Sequence, residues 1–112
     1  MNDAVTAFVA DLKSNHRFKD VMLVTFSEFG RRVSQNASGG TDHGTANNMF
    51  VINGALKQKG MINAMPSLED LNEGDLKYVV DFRDVYATLL NKWLATDDRK
   101  IMGRSAAYLQ FI

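Results

Sequence analysis

Val21-Met22-Leu23-Val24-Thr25-Phe26 is a continuous apolar run rich in β-branched residues. A strand with one wet face alternates apolar and polar residues, so an unbroken run predicts a strand covered on both faces. Just upstream, Val5, Phe8, Val9 and Leu12 fall at i, i+3, i+4 and i+7. That spacing predicts a helix over Asp3 to Ser14, with Asn2 or Asp3 as its N-cap. His16 to Asp20 connects the two and leaves His16 solvated. Helix followed by buried strand is half of a βα unit, and it sets the expected class as α/β.

Downstream, residues 27–48 show neither the helical nor the strand period. They hold Gly30, Gly39, Gly40 and Gly44, half of the chain's 8 glycines. Connections beyond about 12–15 residues without structure of their own are uncommon in compact domains and are usually functional or disordered. Phe50-Val51-Ile52 predicts a second short buried strand, closed by Asn53-Gly54. Pro66 to Leu71 reads as a proline-led helical turn, and Lys77 to Val80 as a short strand. Phe82, Val85, Tyr86, Leu89, Leu90, Trp93 and Leu94 then trace a wide apolar helical face. Asp81 is the natural N-cap and Asp84 suits the first turn; the aromatic stripe of Phe82, Tyr86 and Trp93 is expected in the core. The tail predicts one turn around Arg99 to Met102. Its apolar end, Tyr108 to Ile112, should dock rather than dangle.

The 112 residues make a single segment, one domain or a piece of one. With 46% apolar and 23% charged residues the chain has an ordinary globular balance. Its 13 basic and 13 acidic residues cancel, leaving no global field to steer it to nucleic acid or an anionic membrane. No cysteine is present, which excludes disulfides, thiolate metal sites and cysteine nucleophiles. No apolar run is long enough to span a bilayer, and the first residues lack the basic start of a signal peptide.

Ligands of open α/β sheets bind beyond the carboxyl ends of strands. The loop after Phe26 starts there with Ser27-Glu28-Phe29-Gly30-Arg31-Arg32 and ends with Gly39-Gly40-Thr41-Asp42-His43-Gly44-Thr45. Glu28, Asp42 and His43 could therefore converge at one sheet edge. A carboxylate and an imidazole suit zinc, manganese or iron. The same residues also fit a plain reading: Asp42 in a polar turn, Glu28 paired with Arg31 or Arg32, and the arginines as a surface or structural pair.

These motifs, together with Asp81-Phe82-Arg83 and Val85-Tyr86-Ala87-Thr88, resemble a bacterial family known as domain of unknown function 1501, which is placed in the alkaline-phosphatase-like superfamily. The resemblance runs over nearly the whole chain. It implies the C-terminal part of a three-layer α/β/α fold with a short, mainly parallel sheet, and hydrolysis of phosphate or sulfate esters at a metal centre. By resemblance Glu28 and His43 stand at metal-ligand positions, Asp42 is a third ligand or an orienter of His43, and Arg31 binds the anionic ester. Zinc or manganese would be the cofactor. Phe29 stands where relatives carry histidine, a departure from the ordinary two-metal set.

The nucleophile of the superfamily lies far upstream of any residue matched here, so no catalytic residue is assigned and the isolated chain is expected to be inactive. Full-length relatives are several times longer and often exported; the expected partners are the missing N-terminal part of the domain or a second copy. A non-catalytic binding or structural module of the same fold is the alternative.

Overall fold

The computed structural model describes residues 2–112. The chain forms two compact units, Met1–Phe26 with Met49–Leu56, and Ser27–Asn48 with Lys57–Ile112. Among the described residues no helix is long and apolar enough to cross a membrane.

In the first unit, α1 (Asn2–Ser14) follows the predicted stripe and ends where His16 enters the left-handed region at φ 55°, a common way to close a helix. Val5, Val9 and Leu12 are only half-buried and Phe8 is exposed. β1 (Leu23–Val24) lies antiparallel to β4 (Val51–Ile52), Leu23 opposite Ile52 and Val24 opposite Val51. The buried side chain of Asn53 fastens this ladder. Its Nδ2 donates to the carbonyls of Lys19 (3.1 Å) and Val21 (2.8 Å), and its Oδ1 accepts from the Ala55 amide at 2.6 Å.

The second unit carries two antiparallel hairpins. β2 (Gly30–Gln35) pairs with β3 (Thr41–Gly44) through an irregular register, and β5 (Leu71–Asn72) pairs with β6 (Asp75–Leu76). Residues 27–48, expected to be structureless, are thus largely a polar ribbon. Asn36 makes its turn: the side-chain oxygen accepts from the amides of Ser38 (3.0 Å) and Gly40 (3.1 Å). The second turn has Glu73 at φ 51° and Gly74 at φ 89°, the two positive angles that suit a tight hairpin.

The mainly parallel sheet is not supported, because every ladder among the described residues is antiparallel. Parallel neighbours need a crossover, usually helical. The segment between β1 and β4 is a ribbon instead. The three-layer arrangement expected from the resemblance gains no support from this pairing. Nor do Lys77 to Val80 form a strand or Pro66 to Leu71 a helix; at the latter, the Ser67 hydroxyl accepts from the amides of Glu69 and Asp70, both at 3.1 Å.

Asp81 does cap α2 (Phe82–Thr88), accepting from the Arg83 amide at 2.9 Å. The helix continues as a π-helical turn over Leu89–Trp93, and α3 (Asp98–Met102) follows from its cap Asp97. The expected aromatic core is corrected: Phe82 and Leu94 are exposed, while Tyr86 and Trp93 are half-buried. Among the described residues the buried apolar side chains are instead Val85, Ala87 and Phe111. Phe111 belongs to the tail, which docks as expected. Thr88 receives the Leu109 amide at 2.9 Å, Asp84 pairs with Arg104 at 3.1 Å, and the Phe111 carbonyl accepts from Lys57 at 2.9 Å.

Candidate functional site

The ribbon of β2 and β3 gathers three of the residues singled out above or standing beside them. Arg31 and His43 are cross-strand partners, so their side chains share one face. Phe29, two residues before Arg31, reaches the same face. Its ring stacks on His43 with centroids 3.5 Å apart and planes 15° from parallel, and the Arg31 guanidinium carbon lies 5.2 Å from its centroid. Arg31 Nη1 donates to the Thr41 carbonyl at 2.8 Å. That bond fixes one arm of the guanidinium and leaves the other donors free. Both Arg31 and His43 are exposed.

Asp42 stands apart from this cluster. Consecutive strand residues project to opposite faces, and Asp42 Oδ1 accepts from Asn36 Nδ2 at 2.9 Å. Its carboxylate braces the turn and does not orient His43. Glu28 is exposed at the entrance to β2, and neither Arg31 nor Arg32 forms an ion pair with it. A metal centre needs several donors at roughly 2 Å from one point. Among the described residues no three His, Asp or Glu side chains stand together in that way. Glu28, Asp42 and His43 therefore do not fit a metal centre held by this chain alone.

The other ribbon face is structural. Arg32 Nε lies 3.5 Å from Asp75 Oδ1, tying β2 to β6. Gly30 and Gly44, one from each motif, face each other across the ladder and are buried. A Cβ on Gly30 would fall 1.7 Å from the Ala46 carbonyl oxygen, and one on Gly44 would fall 2.9 Å from Asp75 Oδ1. The glycines are required by the close approach of backbone and carboxylate. A recess of about 330 Å³ lies in this unit, lined by Thr45, Asn72, Leu76, Lys77 and Tyr78. It contains none of the expected site residues.

Sequence reasoning missed a second polar cluster. Asp98 is fully buried; its Oδ1 accepts from Asn91 Nδ2 at 2.9 Å and from the Tyr108 hydroxyl at 2.8 Å. Burial pushes this carboxyl up, but the bonds from Tyr108 and Asn91 outweigh it and hold it below the ordinary range. The bond to Asp98 in turn raises the Tyr108 hydroxyl. The cluster clasps the tail to the π-helical turn. An Asp-Asp pair before a short helix signals a cap and carries no mark of burial.

The model of the family described as "Protein of unknown function (DUF1501)" matches residues 1–110. The chain belongs to that family. Within it, the ribbon explains Gly30 of the first loop motif and Gly44 of the second by packing, and Asp81 explains the third motif as a helix cap. No curated protein and no solved structure matches the chain.

Proposed function

We propose that this family member is a portion of a phosphate- or sulfate-ester hydrolase of the alkaline-phosphatase type, in which the ribbon face of Arg31 and His43 meets the anionic ester group. The observation that carries this reading is the Arg31–His43 cross-strand pair on an exposed face, with Phe29 stacked on the imidazole. One guanidinium arm is held by Thr41; the remaining planar fork suits two oxygens of a phosphate or sulfate. The imidazole can donate a hydrogen bond to the same group. No activated nucleophile accompanies these side chains, so the chain by itself binds and does not turn over. Zinc or manganese belongs to this reading only at a centre completed by other donors, to which Glu28 and His43 would be this chain's contributions.

Titration of the chain with inorganic phosphate, sulfate and an aryl phosphate, followed by amide and imidazole NMR shifts, tests the proposal. Shifts centred on Arg31 and His43, lost in Arg31→Ala, are expected. Shifts elsewhere, or unchanged binding in Arg31→Ala, would sink it. Turnover of aryl phosphate or sulfate with added zinc or manganese would show that the chain is catalytically sufficient.

The stack of Phe29 on His43, together with the ungathered carboxylates, favours a second reading. Here the ribbon is a non-catalytic binding module. Anion binding unaffected by zinc or manganese, in this chain and in the complete domain, supports that alternative.

A further inference from the structure

Asn53-Gly54 is the chain's single Asn-Gly step. An asparagine followed by glycine is prone to self-modification, because no Cβ on the second residue hinders its nitrogen from reaching the side-chain carbonyl carbon. In that reaction the Gly54 nitrogen gives up its proton and bonds to Asn53 Cγ. The Cγ–Nδ2 bond breaks, and Nδ2 leaves with that proton as ammonia. Water then opens the cyclic imide at either carbonyl, giving aspartate or isoaspartate. The fold opposes the first step from both sides. The Gly54 amide donates to the Phe18 carbonyl at 3.1 Å, so removing its proton would set an amide anion against a carbonyl oxygen. Asn53 Nδ2 donates to the Lys19 and Val21 carbonyls, while Oδ1 accepts from the Ala55 amide. Ring closure makes the planar Cγ tetrahedral, which pulls Nδ2 out of line with both carbonyls. Asn53 is also 7% exposed, so the bases in solvent that would take the proton are kept away.

We propose that Asn53-Gly54 is a self-modification site gated by the first unit: closed, the unit protects it, and each opening exposes it to a deamidation whose products prevent reclosure. Aspartate at position 53 puts a carboxylate oxygen where Nδ2 stood, so acceptor faces acceptor at the Lys19 and Val21 carbonyls and both bonds are lost. Isoaspartate instead adds a main-chain carbon ahead of Gly54. There is no slack for it, since even a Cβ on Gly54 would lie 2.9 Å from the Phe18 ring and 3.1 Å from the Lys19 nitrogen. Either product unfastens the β1–β4 ladder, and the change is one-way. Deamidation is slow beside local opening and closing, so its rate follows the open fraction of the unit. The site is independent of the anion-binding face, which belongs to the second unit.

Peptide mass spectrometry of the 112-residue chain, incubated in mildly alkaline buffer, tests this against a free peptide of residues 49–57. Conversion at Asn53 should be at least about tenfold slower in the chain than in the peptide. It should rise with urea in step with the loss of hydrogen-exchange protection at the Thr25 amide, which the ladder holds on the Phe50 carbonyl. The converted chain, purified and returned to buffer without urea, should leave that amide unprotected, and Asn53→Asp should reproduce the loss. Should Asn53→Asp give no soluble protein, the conversion rates and the converted chain decide. Conversion as fast in the folded chain as in the peptide overturns the proposal, as does a rate that does not follow Thr25 exposure. A converted chain in which Thr25 regains full protection overturns it equally.

Discussion

Gly30 is the residue on which the ribbon's geometry turns, because the Ala46 carbonyl occupies the space where a side chain would begin. Gly30→Ala cannot be absorbed by rotating a flexible neighbour; backbone must move. Overpacking of this kind costs about 1–3 kcal/mol or more, and a lower urea midpoint with weakened Arg31–His43 pairing in NMR is expected. Arg31 and His43 themselves are exposed, so Arg31→Ala should leave stability nearly unchanged while removing anion binding. This contrast separates packing from recognition. Glu28, Asp42 and His43 were legible in the sequence as polar residues of one loop, but the separation of the three side chains was not. The strand parity that divides Asp42 from His43 appears only once the loop is known to be a ribbon. Nothing in a run such as Gly-Arg-Arg-Val-Ser-Gln gives the apolar alternation that reveals a strand. The signal available was the turn, where Asn36 stands three residues before a glycine at φ 76°.

Among the elements, those with a strong apolar period or a local cap were readable. α1 falls within one residue of its expected start, Asp81 caps α2, and α3 appears where one turn was expected. The parallel sheet was not readable, since an apolar run specifies burial and says nothing of its partner's direction. For α2 the cap has a pH signature. The Arg83 side chain and amide both donate to Asp81 and lower its carboxyl from 3.8 to about 2. A carboxyl depressed by folding adds stability that is fully present above its ordinary value and is lost as pH falls through about 2. Asn caps a helix about as well as Asp. The stability difference between the parent chain and Asp81→Asn, measured by urea midpoints, should therefore be constant above about pH 4 and shrink toward pH 2. The tail makes a second element-scale test. Thr88 is fully buried and holds the Leu109 amide; Thr88→Val keeps the shape and strands that donor, at a cost of about 1–3 kcal/mol. Phe111→Ala should cost more, about 3–5 kcal/mol, through the cavity it leaves.

At the scale of the whole molecule, burial is unevenly divided. Among the described residues, the second unit contains buried Val85, Ala87 and Phe111 and the buried polar side chains Thr88 and Asp98, whereas the first buries only Asn53. Hydrophobic burial is the main favourable term in folding, so the free energy of opening the first unit should be well below that of the second. Two intrinsic probes can follow the units separately. Trp93 is the chain's single tryptophan and lies in the second unit; α1, with 13 residues, is the longest helix described and lies in the first. In urea the far-UV circular dichroism change should begin before the Trp93 emission shift, with a lower first midpoint. Coincident transitions would mean that the two units fold as one cooperative body, and that burial within each unit does not govern its stability.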